Sequence, residues 1–133
     1  MPSDAFDALS RTKTVYLTTW SPSGKAGTVQ IWFFEHDRRI YFCSQRDTLK
    51  VRRIRRSGRA DLTIGSRTGP KLACSARIVD DDPDIKQLLV QTYRRRYWFR
   101  WLFLGPRIQR AFRSGEEVVV ELTPDAEPAS VPS

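Results

Sequence analysis

Three consecutive segments decide the fold: Thr28-Val29-Gln30-Ile31-Trp32-Phe33-Phe34, Arg39-Ile40-Tyr41-Phe42-Cys43-Ser44, and Thr48-Leu49-Lys50-Val51-Arg52-Arg53-Ile54-Arg55-Arg56. The first two are β-branched and aromatic, which suits a pleated, half-buried surface. Glu35-His36-Asp37-Arg38 separates them and reads as a hairpin turn. The third reads as a short, very basic helix over about 48–57, with Asp47 or Thr48 as N-cap and Ser57-Gly58 as its stop. A strand end at Ser44, a loop, and a helix with Lys50 in its first turn form a sensible phosphate cradle. Free N–H groups at a helix N-terminus carry partial positive charge, and a lysine completes the site. The stretch therefore predicts a phosphate-bearing, anionic ligand against an apolar strand pair. It leaves open what is done to that ligand.

The strand expected over Gly27–Phe34 is apolar on both faces. Val29, Ile31 and Phe33 point one way; Gln30, Trp32 and Phe34 point the other. Such a strand is covered on both sides, and a partner subunit or a flat ligand would do that. Working outward, 14–19, 39–44, 59–65, 71–79 and 117–122 also read as strands, giving six in all. Ala60, Leu62 and Ile64 alternate in one; Leu72, Cys74, Ala76 and Ile78 face inward in the next. Pro2–Leu9 reads as a short helix. A longer helix starts at Asp81-Asp82-Pro83 and runs to about Tyr97, with Ile85, Leu88, Leu89, Thr92, Tyr93 and Arg96 on one face. The run 98–112 is aromatic and basic and is interrupted at Gly105-Pro106. Six short strands with few helices predict a mainly β domain over 1–123, a small antiparallel barrel with helices. Residues 124–133 are rich in Pro, Ala and Ser and read as a disordered tail.

Composition narrows the partners. The chain has 133 residues, enough for one domain, and a net charge of +8 that attracts anions. Cys43 and Cys74 lie in strand-like runs and read as buried free thiols; without a CxxC or a His/Cys cluster, no metal site is expected. The N-terminus lacks the features of a secretory signal and no run approaches a membrane span, so the cytoplasm is the default compartment.

Taken in order, Thr28 to Phe33, the hairpin into Tyr41-Phe42-Cys43-Ser44, Thr48-Leu49-Lys50 and Arg59-Ala60-Asp61-Leu62 resemble the flavin and deazaflavin split-barrel superfamily. Its members include pyridoxamine-phosphate-oxidase-like proteins and oxidoreductases that use coenzyme F-420. The resemblance spans about residues 13–122 and implies a six-stranded split barrel of the FMN-binding type. It implies that Thr28, Val29, Gln30, Ile31, Trp32 and Phe33 run along the isoalloxazine ring. It implies that Cys43 and Ser44 meet the ribityl chain and phosphate. Thr48-Leu49-Lys50 matches the triplet that binds the phosphate, with Leu49 where the pyridoxamine branch carries Arg; Arg53, one turn after Lys50, is the best second basic ligand. The pyridoxamine enzymes also hold substrate with a C-terminal Arg and His, whereas His36 is the only histidine here. Pyridoxamine phosphate is therefore not the expected substrate.

The implied function is an F-420- or FMN-dependent oxidoreductase, a homodimer with its cofactor at the interface, transferring hydride to or from a small organic molecule. The hydride chemistry is the cofactor's, so no catalytic acid–base pair need be visible, and none is assigned. A non-catalytic flavin- or tetrapyrrole-binding barrel is the alternative, followed by a basic nucleic-acid-binding barrel. The segment Tyr93–Leu104 interleaves arginines with aromatics. It is open between a helix packed over the barrel, a pocket wall, a nucleic-acid contact and a membrane-surface contact.

Overall fold

The structure, a computed structural model, describes residues 9, 12, 15–79 and 82–125. Seven strands form one antiparallel sheet: β1 (Val15–Trp20), β2 (Ala26–Ile31), β3 (Phe34–His36), β4 (Arg39–Gln45), β5 (Arg59–Ile64), β6 (Lys71–Ile78) and β7 (Glu117–Pro124). Their spatial order is β2-β1-β5-β6-β7-β4-β3. The two edges, β2 and β3, are joined only by Trp32 and Phe33. Three Cα steps cover at most about 11 Å, so the sheet must curl until its edges meet. That connection makes it a split barrel.

The helices are α1 (Leu49–Ser57), α2 (Pro83–Arg96) and α3 (Trp98–Ser114). Gly58 ends α1 in the left-handed region at φ 67°, where its N–H bonds Ile54 O at 2.8 Å. Asp82 caps α2 by accepting from the Ile85 N–H at 3.1 Å. Asp37 and Arg38 both have positive φ (54° and 61°), the twist a two-residue hairpin requires between β3 and β4.

Alternation along the strands sorts two cores. Val15, Leu17, Ile31, Phe33, Ile40, Phe42, Leu62, Cys74, Val120 and Leu122 fill the barrel interior with Leu9 and Ile54. On the outer face, Phe34, Tyr41 and Val119 pack beneath Leu89, Tyr93 and Trp101 of the two long helices. β7 is buried on both faces for this reason.

Three sequence expectations need correction. The strand expected over 27–34 is two strands, raising the count from six to seven. At Trp32 and Phe33 the helix α2 side supplies the partners that a strand would. The Tyr93 hydroxyl donates to Trp32 O at 2.7 Å, and Phe33 N–H donates to the Tyr97 hydroxyl at 3.5 Å. Second, Gly105-Pro106 does not interrupt the 98–112 segment, because α3 runs through it. Gly105 is there for Trp101: a Cβ would stand 2.5 Å from Trp101 Nε1 and 2.6 Å from its Cδ2. Third, the strand expected over 117–122 continues through Pro124, opposite Cys74, and Asp125 pairs with Arg59 at 2.5 Å; the rest of the tail expected over 124–133 lies outside the described residues. The expected helix over 2–9 lies outside the described residues except for buried Leu9. Both cysteines are free, as expected.

Gly105→Ala is expected to destabilise the fold although alanine favours helix by about 1 kcal/mol. Overpacking against the buried indole costs about 1–3 kcal/mol, so the net change is a loss of about 1 kcal/mol. A gain in denaturant midpoint would refute the packing role.

Candidate functional site

A cleft of about 690 Å³ opens between the barrel and α3. Gln30 and Ile31 come from the end of β2, Trp32 from the link to β3, and Cys43, Ser44 and Gln45 from the end of β4. Thr48 and Lys50 come from the start of α1, Tyr93 from α2, and Glu116 and Glu117 from the start of β7. Leu104, Arg107, Ile108, Arg110, Ala111 and Ser114 form the wall on α3. The register places Gln45 opposite Glu117. Arg46 ties this corner to the end of α3: its N–H donates to Glu116 O at 2.7 Å and its Nε to Gly115 O at 2.8 Å.

The start of α1 is built for an anion. Thr48 is the N-cap, yet its side chain makes no capping bond, and no acidic residue lies in the first turn. The Thr48 hydroxyl instead donates to Gln45 O at 3.0 Å, and the Ser44 hydroxyl lies 2.9 Å from it. The helix end is therefore left positive. Lys50 sits beside it, half-buried. Burial lowers its pKa, and only the neighbouring Glu117 and Cys43 oppose that. An anion at this point would relieve the desolvated ammonium.

Glu117 sits at the cleft floor, 8% exposed. Burial raises its pKa, against the Cys43 hydrogen bond and the Lys50 charge, which lower it. Burial pushes the Cys43 thiol well up, with Glu117 adding to the shift, so the thiol is neutral and not a ready nucleophile. Four residues along the same strand face, Glu121 behaves oppositely. Burial would raise its pKa, but bonds from Arg77 Nε (2.7 Å) and the Tyr41 hydroxyl (3.0 Å) outweigh it and the net shift is down.

These two carboxylates give opposite pH signatures. For Glu117 the folded pKa lies above the unfolded one, so stability is lost as pH rises from the ordinary carboxylate range through the raised value. For Glu121 it lies below, so its stabilisation is present above the ordinary range and lost as pH falls through the lowered value. Glu117→Gln is expected to raise the melting temperature near neutral pH, with the gain vanishing in acid. Glu121→Gln should lower it near neutral pH, with the loss shrinking in acid. Thermal melts from pH 4 to 8 check both; a Glu117→Gln melting curve that is unchanged at neutral pH contradicts the buried-charge account.

Of the twelve residues singled out from the sequence, the cleft collects Gln30, Ile31, Trp32, Cys43, Ser44, Thr48 and Lys50. The other five lie elsewhere. Thr28 is exposed on the edge strand and bonds Thr18 at 2.9 Å. Val29 and Leu49 are exposed, at 43% and 57%. Phe33 is in the barrel interior beneath the Arg96 guanidinium, 4.5 Å from its ring centroid. Arg53 lies under β2, its Nη1 2.6 Å from where a Gly27 Cβ would stand, with a buried Nε that has no hydrogen-bond partner. Sequence reasoning missed Glu117 and the later part of the α3 wall from Arg107 to Ser114 as lining; a pocket wall was one of the readings left open for Tyr93–Leu104, and of that segment Tyr93 and Leu104 line the cleft. The Glu116-Glu117 pair ahead of Val118-Val119-Val120 was the available signal for Glu117. Among the described residues no His/Cys/Asp/Glu group could hold a metal ion, and no helix is long and apolar enough to cross a membrane.

Among curated proteins, none matches the sequence. Solved structures share the fold at low identity. A candidate pyridoxamine 5'-phosphate oxidase from Listeria innocua is 16% identical with a TM-score of 0.68, covering 94% of both chains. The heme storage protein HutZ from Vibrio cholerae is 12% identical with a TM-score of 0.70, covering 94% of this chain and 90% of its own. General Stress Protein 26 from Bacillus anthracis is 17% identical with a TM-score of 0.65, covering 93% and 88%. The sequence profile of pyridoxamine 5'-phosphate oxidase matches residues 1–127, and with the split barrel this shows that the chain belongs to the pyridoxamine 5'-phosphate oxidase family.

Proposed function

We propose that the cleft binds a phosphate-bearing flavin or deazaflavin, FMN or F-420, and that the protein is an oxidoreductase acting on a small organic molecule. The observation that carries this reading is the half-buried Lys50 ammonium beside the uncapped start of α1, at one end of a cleft bordered by Ile31 and Trp32. The residues present fit such a group. A volume of about 690 Å³ is within the range that holds a small cofactor. Lys50, Ser44, Thr48 and the α1 N–H groups would hold the phosphate. Ile31 and Trp32 would border the ring, and the end of β2 would offer it backbone hydrogen bonds. When bound, the cofactor supplies hydride transfer; the chain supplies orientation and charge. Arg107 and Arg110 add positive charge to the α3 wall, which favours F-420, the more anionic of the two candidates.

The proposal includes a homodimer. Val29 on the edge strand and Leu49 at the start of α1 are exposed apolar groups close to the cleft, and a partner seated there would cover them and complete the site. Thr28, Val29 and Leu49 then belong to the cofactor's surroundings through the interface rather than through the monomer. The second reading is a barrel that binds a flavin or tetrapyrrole without turnover; the fold shared with a heme storage protein is what favours it.

The test is a parallel titration of cofactor-free protein with FMN, F-420 and heme, with light scattering of each mixture. Saturable binding of FMN or F-420 by a dimer supports the main reading, and hydride transfer to an acceptor then separates enzyme from carrier. Binding of heme alone supports the second. Binding of none refutes both.

A further inference from the structure

We propose that the junction of α2 and α3 docks on an anionic lipid surface. Trp98, Phe99, Leu102 and Phe103 are 63%, 64%, 66% and 76% exposed. At about 100° per residue they fall on one side of α3. Trp101 and Gly105 are buried on the side toward the barrel. In its first two turns the helix is thus apolar toward solvent as well as toward the barrel, with Arg100 the one charged residue there, which a surface helix facing only water is not. The exposed rings also pack on one another: Trp98 meets Phe99 at 5.7 Å and Phe99 meets Phe103 at 6.4 Å between centroids. They form a contiguous patch of the kind that marks a docking site.

Charge identifies the occupant. Between Arg94 and Ser114 the sequence has seven arginines and no acidic residue. Arg96 is used internally, bonded to Thr12 O and stacked on Phe33. Arg94, Arg95 and Arg100 are exposed next to these rings in sequence, and Arg107, Arg110 and Arg113 are exposed farther along α3. The acid on α2, Asp84, lies in its first turn, about 15 Å or more along the helix from the junction. A second copy seated here by a two-fold axis would set arginine against arginine. An anionic bilayer offers what the patch lacks: a polar surface of opposite charge above an apolar layer that takes Trp, Phe and Leu. Leu104 and Arg107 also line the cleft, so docking would bring the cleft mouth close to the lipid. This inference does not depend on which cofactor the cleft holds.

The test is flotation of the full chain with vesicles of phosphatidylcholine alone and with about one third phosphatidylglycerol, at near-physiological and at high salt. Two variants change only exposed side chains: Phe99→Ser/Phe103→Ser, and Arg94→Gln/Arg95→Gln/Arg100→Gln. The parent is expected to float with anionic vesicles only, less so at high salt. The arginine variant should lose about fivefold per residue, on the order of 100-fold in all, and the phenylalanine variant a comparable factor. Both should keep the parent's melting temperature. Absence of anionic-vesicle binding, or equal binding to neutral vesicles, overturns the proposal. So does a smaller particle in light scattering for the phenylalanine variant without vesicles, which would show that a second copy covers the patch.

Discussion

Tyr93→Ala is expected to destabilise the protein by about 3–5 kcal/mol, the largest effect of any single change considered. Tyr93 is 1% exposed, so truncating it empties a ring-sized volume. Its ring makes edge-to-face contacts with Trp32 at 5.5 Å, Phe34 at 6.5 Å and Tyr97 at 5.5 Å. All of these would be lost at once. Tyr93→Phe isolates the hydroxyl. It keeps the ring but leaves Trp32 O without its 2.7 Å donor, at a point where no strand partner replaces it. That change is expected to cost about 1–2 kcal/mol. Because Tyr93 also lines the cleft, both variants should weaken ligand binding, Ala more than Phe. Denaturant melts of the two variants check the order. Equal stability of Tyr93→Phe and the parent would mean that the hydroxyl does not hold the β2–β3 break.

Lys50→Met is expected to weaken FMN or F-420 binding by roughly 10- to 150-fold, since a hydrogen bond to a charged group contributes about 1.5–3 kcal/mol. Methionine keeps most of the stem, so the loss isolates the ammonium. The pH dependence has a defined sign. Burial lowers the Lys50 pKa in the free protein, and a bound phosphate would raise it again, so binding takes up a proton at alkaline pH. Affinity in the parent should therefore fall as pH rises through the lowered Lys50 pKa, and Lys50→Met should abolish that fall. Stability of the cofactor-free variant should change little by comparison, because the ammonium it removes is disfavoured by burial. Isothermal titration across pH checks both points. Unchanged affinity in Lys50→Met would remove the phosphate site from the start of α1.

The pH signatures of Glu117 and Glu121 show why an alternating strand underdetermines its own chemistry. Both are acids on the same face of β7 and four residues apart, and a local reading treats them alike. One faces a cleft floor with a half-buried lysine, while the other is met by Arg77 from β6 and Tyr41 from β4. Their opposite shifts come from residues far away in sequence.

What the sequence by itself determined is what depends on neighbours along the chain. The alternation at Ala60, Leu62 and Ile64 and at Leu72, Cys74 and Ala76 matches the buried positions of β5 and β6. The stop at Gly58 needs only a residue that tolerates positive φ. The approach of Ser44, Thr48 and Lys50 to one another follows from four- and two-residue spacings at a strand-to-helix corner. Only the tertiary structure decided that the apolar run 27–34 breaks at Trp32, because the partners there are tyrosines some sixty residues on. It likewise decided that Gly105-Pro106 stays helical, with Gly105 making room for Trp101 against the barrel. It placed α3 and Glu117 on the cleft, and it left Trp98, Phe99, Leu102 and Phe103 facing outward although such residues suit a core. Propensity and periodicity act over a few residues, whereas burial, charge and strand pairing depend on what the closed sheet brings together.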